Sequence, residues 1–293
     1  GGALMITGGR TRRTAIVTGS GSGLGRALAV RLARDGWEIA LCDIDTAAAA
    51  ETLALVEHAG GVGRVERLDV GRPAEWEGLR ERLGRDWPRL DLLVNNAGVA
   101  VSGEVGRCPL DDWRWIVDAN LWGTIHGCHA CVDWLKANPD RPHIVNVASL
   151  AAIGAAPGMA AYNVTKAGIV ALSETLWTEL RPHGVGVTVL CPSFFRTALL
   201  DRGRFAEDRH RRVAAAVADR SSLSAERVAD AAVRAVAGRQ LYVFLPGRAR
   251  LVWWFKRLFP LGFLAAVVSE VDRRFQADAR SGAARGHRKD GAP

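Results

Sequence analysis

Short apolar runs alternate with segments of helical period from residue 13 to residue 246. RTAIVTG (13–19), WEIALCD (37–43), GRVERLDV (63–70), LDLLVNNAG (90–98), HIVNVAS (143–149), GVGVTVLCP (184–192) and QLYVFLP (240–246) read as strands. Several of these runs are apolar almost throughout, which a strand buried on both faces requires. Between them the helical period predicts helices over 23–36, 46–59, 73–87, 109–138, 160–181 and 224–237, the first stopping at Gly36. Strand and helix in strict alternation predict a doubly wound α/β fold, a parallel sheet of seven strands with helices on both faces. The segment 196–222 is polar and Arg-rich and reads as a loop or lid over the sheet.

No break in composition splits this region. The expected organisation is a flexible start (1–12), one catalytic domain (13–246), an apolar and amphipathic helical extension (247–275) and a basic, disordered tail (276–293). The 293 residues suffice for a large buried core, and 48% hydrophobic with 24% charged residues is ordinary for a globular domain. Net charge is +8, of which residues 273–293 contribute +4 from six Arg or Lys against two Asp or Glu. The rest is spread too thinly for a nucleic-acid groove, so no nucleic-acid partner is expected. Five scattered cysteines, Cys42, Cys108, Cys128, Cys131 and Cys191, argue against a disulfide framework. Cys128 and Cys131 form a C-x-x-C near His126 and His129, but without a second pair they read as core residues on a helix, and no metal is expected. Residues 1–13 hold no apolar run of signal length, and no uncharged apolar stretch reaches a membrane span, so the expected location is cytoplasmic.

In a doubly wound fold, ligands bind at the carboxyl ends of the strands. The first strand runs into TGSGSGLG (18–25), where a Gly-rich turn opening a helix can hold phosphate on backbone N–H groups. The second ends at Asp43, 18 residues beyond Gly25, placed to take the two ribose hydroxyls of an adenosine. Ser22 and Ile44 offer no cation for a 2′-phosphate, so the charge pattern favours NAD over NADP. Asp45 is the better helix cap of the two aspartates. Asp69-Val70 follows the third strand and is placed to meet an adenine edge, and the small residues of NNAG (95–98) follow the fourth. Ser149 follows the fifth; Tyr162 lies 13 residues on and Lys166 four further, one helical turn away. The chain has only two tyrosines, and only four of its 39 basic residues are lysine, so this pairing stands out from the composition. Asn120 sits mid-helix, where Asn has no propensity reason to be.

Taken together, TGSGSGLG, Asp43, Asp69-Val70, Asn95-Asn96-Ala97-Gly98, Asn120, Ser149, the YNVTK stretch (162–166) and Cys191-Pro192-Ser193 resemble the short-chain dehydrogenases/reductases, over residues 13–246. The resemblance implies a Rossmann-type fold and an oxidoreductase moving a hydride between a nicotinamide cofactor and a secondary alcohol or ketone. It implies cofactor contacts at Gly19, Ser22, Gly23, Leu24, Gly25, Asp43, Asp69, Val70, Asn96, Ala97, Gly98, Tyr162, Lys166, Pro192 and Thr197, and catalytic roles for Asn120, Ser149, Tyr162 and Lys166. Pro-Ser replaces the family's usual Pro-Gly after the sixth strand.

The implied chemistry asks Tyr162 to act as acid and base. A phenol of pKa about 10 is a poor base near neutrality, and the expectation is that the positive charges of Lys166 and of NAD⁺ together lower it. Ser149 would hydrogen-bond the substrate oxygen, and Asn120 would hold a water that links Lys166 to solvent. The alternative is a catalytically silent dinucleotide-binding sensor or scaffold on the same fold, against which stands the presence of competent residues at all four positions.

Two surfaces carry expectations about partners. Trp113, Trp115, Trp122, Trp134, Leu172, Leu176 and Trp177 spread apolar character over more than one face of the helices at 109–138 and 160–181, which predicts a homodimer or homotetramer. LVWWFKRLFPLGFLAAVV (251–268) reads as two short amphipathic pieces broken at Pro260. A subunit interface, a cover over a pocket for a bulky lipophilic alcohol or ketone, and an interfacial membrane anchor all fit it; the expected substrate is lipophilic and any membrane contact peripheral.

Overall fold

Every strand end that matters to the site is fixed by burial. In the computed structural model, which describes residues 12–195, 199, 202–270 and 273, Thr14–Thr18 (β1) is buried throughout, as is Leu92–Asn95 (β4). Parallel pairing joins these to Glu38–Asp43 (β2), Val62–Arg67 (β3), His143–Val147 (β6), Gly186–Pro192 (β7) and Tyr242–Leu245 (β9) in the order β3-β2-β1-β4-β6-β7-β9. The chain turns from one half of the sheet to the other between β1 and β4, the switch point where such folds bind ligands. Two further short strands, Val101–Ser102 (β5) and Arg204–Phe205 (β8), pair with each other beyond the carboxyl ends.

Helices cover both faces. On one, Gly23–Arg34 (α1) and Ala225–Gly238 (α9) pack Leu28, Leu32, Val228 and Ala232 over the sheet. On the other, Pro73–Asp86 (α3), Gly123–Lys136 (α5) and Ala160–Leu180 (α7) bring Trp76, Leu79, Trp134 and Leu180 against Leu93 and Ile144. Each such side chain, once buried, stabilises the fold by roughly 2 kcal/mol. Thr46–His58 (α2) begins at Asp45, whose Oδ1 accepts from Ala48 N at 3.1 Å, so Asp45 caps the helix and leaves Asp43 to the cavity, as expected. Cys128 and Cys131 are buried core residues whose thiols burial pushes up to about 12.

The structure departs from the sequence expectation in four places. The helix expected over 109–138 is three pieces: Leu110–Ile116 (α4), a π-helical turn at Val117–Trp122, and α5. A short helix, Ala151–Gly154 (α6), follows β6. The polar segment 196–222 holds a helix, Asp208–Asp219 (α8), and the strand β8 rather than loop alone. The supposed apolar surplus on the long helices is smaller than the pattern implies. Trp134 and Leu176 are buried, Trp113, Trp115, Leu172 and Trp177 half-buried, and only Trp122 of the seven is exposed. Beyond β9 the extension forms Ala249–Leu258 (α10) and a helical run over 260–270. Among the described residues no helix is long and apolar enough to cross a membrane. The expected flexible start before Arg12, the basic tail 276–293 and the cofactor contact expected of Thr197 lie outside the described residues.

Candidate active site

A cavity of about 1300 Å³ opens along the carboxyl ends of β1, β2, β4, β6 and β7. Its lining includes Gly19, Ser22, Gly23, Leu24, Asp43, Asp69, Val70, Asn96, Ala97, Gly98, Ser149, Tyr162, Lys166 and Pro192. Gly25 and Asn120 are the two expected residues that stand behind the wall instead of on it.

The turn after β1 is shaped for an anionic ligand. Gly19 and Gly23 adopt left-handed φ values of 64° and 52°, which a side chain would strain. A Cβ on Gly25 would lie 2.0 Å from the Gly19 carbonyl oxygen, so α1 can approach the turn only with glycine there. Ser22 is the N-cap of α1 but its side chain makes no capping bond, which leaves first-turn N–H groups facing the cavity. Asp43 is buried; its Oδ2 accepts from Gly21 N at 2.8 Å and its Oδ1 from Asp45 N at 3.0 Å. These bonds fix the carboxylate on the cavity wall at the end of β2. A glycine cradle, open helix N–H groups and a fixed carboxylate together fit a dinucleotide.

Asn96 stitches β4 to that turn. Its Nδ2 donates to Thr18 O at 2.8 Å and Gly19 O at 3.2 Å, and Ala97 N donates to Thr18 Oγ1 at 3.0 Å. This pulls the chain off the sheet at Asn95, short of the expected strand end. Asp69 Oδ1 accepts from Gly71 N at 3.1 Å and its Oδ2 pairs with Arg72 at 3.2 Å. Sequence reading missed two cations on the cavity wall, Arg72 and Arg202. Arg202 Nη2 pairs with Asp45 Oδ2 at 3.3 Å, across 157 residues, so no local signal could have revealed it. Both guanidiniums are engaged by carboxylates.

The π-turn accounts for Asn120. It is fully buried; its Oδ1 accepts from Val99 N at 2.7 Å, and its Nδ2 donates to Val99 O at 3.0 Å and Thr165 Oγ1 at 3.3 Å. The amide thus ties the loop after β4 to α7 at the residue next to the lysine. Single π-turns recur at functional sites because the extra residue redirects a side chain. A Cβ on Gly98 would lie 3.0 Å from Asn120 Oδ1, a tight contact to which the amide would have to yield.

Ser149, Tyr162 and Lys166 converge at the end of β6. All three are buried. Ser149 Oγ accepts from Ala151 N at 3.1 Å and donates to Pro192 O at 3.5 Å. Lys166 Nζ lies 5.7 Å from the Tyr162 ring centroid and donates to Val147 O at 2.8 Å. Burial pushes the Tyr162 phenol up to about 12, against a smaller opposite pull from the Ser149 hydrogen bond. Burial likewise pushes the Lys166 ammonium down to about 8. For the chain's own groups desolvation outweighs the pull of the Ser149 hydroxyl on the phenol, and the Lys166 ammonium is turned onto the Val147 carbonyl.

The short chain dehydrogenase family model matches residues 13–207. The chain belongs to the short-chain dehydrogenase family. It is 31% identical over 267 residues to SadH of Mycobacterium tuberculosis, named an oxidoreductase, covering 90% of this chain and 96% of that one. EphD of the same organism, also named an oxidoreductase, is 36% identical over 184 residues; these are 63% of this chain and 31% of EphD, so the chain spans about a third of that relative. A Burkholderia phymatum short-chain dehydrogenase/reductase solved in complex with NAD superposes with a TM-score of 0.78 at 31% identity, over 82% of this chain and 92% of that one. A Sphingobium yanoikuyae short-chain dehydrogenase in complex with NADPH gives a TM-score of 0.70 at 26% identity, over 86% and 95%. The short-chain dehydrogenase fold, its glycine turn and its serine, tyrosine and lysine thus coincide in this chain.

Proposed function

We propose that this short-chain dehydrogenase interconverts a bulky, lipophilic secondary alcohol and its ketone, with NAD preferred over NADP. The observation that carries the reading is the convergence of Ser149, Tyr162 and Lys166 on the same cavity as the glycine turn and Asp43. A bound nicotinamide supplies the hydride acceptor or donor. The chain's own residues handle the oxygen and its proton. Ser149 holds the substrate oxygen, and Tyr162, kept protonated by burial, is poised to donate a proton to a carbonyl oxygen. Oxidation of the alcohol needs the phenolate, which the chain's own environment disfavours, so further positive charge near the ring is required in that direction. Asn120 acts as a positioning residue through Val99 and Thr165. Lipophilicity follows from the other end of the cavity, walled by Phe194, Phe195, Leu199, Phe205, Val213 and Phe263. Asp43 supports NAD over NADP, with Arg72 and Arg202 on the same wall each paired to a carboxylate.

Turnover of a panel of secondary alcohols and ketones with NAD(H) and NADP(H), followed by nicotinamide absorbance, tests the reading. Tyr162→Phe should remove nearly all turnover while NADH still binds. Retention of more than about a tenth of kcat, a loss under roughly 1.4 kcal/mol, contradicts the acid/base role. Binding without turnover on any substrate favours the silent sensor instead.

A further inference from the structure

The extension beyond β9 has two faces of opposite kind. Its inner face is docked: Ala249 and Phe263 are buried, Lys256 Nζ donates to Ile153 O at 2.8 Å, and the Trp253 ring lies 5.2 Å from Tyr242 and 5.7 Å from Phe244. Its outer face is apolar and uncovered. Leu251 is 72% exposed, Trp254 49%, Leu258 66%, Phe259 60% and Leu261 80%. Nine of the 16 large apolar side chains exposed among the described residues fall between 251 and 268, so this is a contiguous patch and not scatter.

Charge identifies the occupant. Residues 248–269 carry Arg248, Arg250, Lys256 and Arg257 and no Asp or Glu. Lys256 is turned to the inner face, so a two-fold contact of the outer face would bring Arg248, Arg250 and Arg257 together, while the segment's one carboxylate, Glu270, is at its far end and paired with Arg273. An anionic surface has the complementary sign, and a helix pair with exposed Trp, Phe and Leu flanked by Arg suits the headgroup region of a bilayer. The extension is also a wall of the cavity, through Val252, Phe263, Ala266 and Val267.

We propose that the 249–270 extension docks this enzyme on an anionic phospholipid bilayer, with its outer face in the headgroup layer, and that the lipophilic substrate enters the cavity from that side. The entry route rests on the function proposed above; the docking does not. Flotation with vesicles of phosphatidylcholine alone, and with about 30% phosphatidylglycerol added, tests the docking. The protein should float with the anionic vesicles, release as salt rises from about 0.05 to about 0.5 M, and bind neutral vesicles far more weakly. Leu258→Ser with Leu261→Ser, and separately Arg248→Gln with Arg250→Gln, should each lower partitioning about tenfold while NADH binding and turnover of a small water-soluble ketone stay unchanged. Absence of binding, binding indifferent to lipid charge, or unchanged partitioning of both variants overturns the proposal. So does a fall in oligomer mass in the variants without a change in partitioning, which would give the face to a second copy. Flotation without any nicotinamide turnover would overturn the dehydrogenase reading and leave the docking standing.

Discussion

At the scale of single residues the site is a set of opposed demands on burial. Lys166 is held where its charge is costly, since burial depresses its pKa from about 10.5 to about 8. The unfolded chain keeps the proton up to about 10.5, so the Lys166 contribution to stability should rise as pH climbs from about 8 to 10.5, with the buried thiols, pushed up to about 12, opposing it above about 9. Below that window the charged, buried lysine destabilises the fold in full. Lys166→Met should therefore abolish turnover and yet raise stability at pH 7 by on the order of 1–2 kcal/mol, after allowing for the bond lost to Val147 O. Denaturant melts at pH 7 and pH 10.5 check this; the gain should be present at the first and shrink toward zero at the second. Gly25 makes the opposite kind of test. Gly25→Ala places a methyl 2.0 Å from the Gly19 oxygen and should cost several kcal/mol together with NADH affinity. Gly36→Ala, with φ of 75° but nothing within 4 Å, should cost only about 1 kcal/mol and leave affinity alone.

At the scale of elements, legibility followed burial. Strands sandwiched between helices had to be apolar throughout, which is why β1, β2 and β7 were visible as runs within a residue or two of their ends. The glycine turn, Asp43, Ser149, Tyr162 and Lys166 were legible because each sits at a strand end or one helical turn from its partner. The π-turn was not, because an i to i+5 bond leaves no mark on hydrophobic period; Asn120 was the only hint. The helix α8 was hidden by its Arg-rich opening, and the Arg202–Asp45 pair by 157 intervening residues. The sign of the Tyr162 shift was hidden too, since depth of burial is not written in the spacing of Tyr and Lys. The strand β6 carries a consequence that hydropathy alone does not suggest. His143 opens it, fully buried, with Nε2 at 2.8 Å from Thr188 Oγ1. That hydroxyl donates to Gln240 O, so Nε2 carries the hydrogen and the ring is neutral. Burial, with Arg239 nearby, depresses its pKa to about 3. The unfolded chain binds the proton first as pH falls, so stability should drop between about pH 6.5 and pH 3, by up to roughly 4 kcal/mol. His143→Gln, which keeps a donor toward Thr188, should flatten that slope in acid melts.

At the scale of the whole molecule the remaining matter is how copies meet. The extension's outer face carries uncompensated cations and is assigned above to lipid. Exposed apolar side chains on the long helices include Leu110, 69% exposed at the start of α4, Trp122, 47% exposed at the end of the π-turn, and Val164, 52% exposed near the start of α7. Trp122 and Val164 lie two residues from Asn120 and Tyr162, on the outward faces of the elements that bury them, so a two-fold contact there would brace the elements that hold the catalytic groups. The exposed apolar area is modest, because Trp134 and Leu176 are already buried within one chain. A dimer through this face is therefore expected to be concentration-dependent. Light scattering should give twice the 31.5 kDa chain mass at micromolar concentration and fall toward one on dilution. Trp122→Ser with Val164→Ser should shift that midpoint to higher concentration and lower kcat in step with the monomer fraction. A constant mass of 31.5 kDa would exclude the dimer, whereas a dimer indifferent to both substitutions but lost on Leu258→Ser with Leu261→Ser would move the contact to the extension and remove the lipid assignment with it.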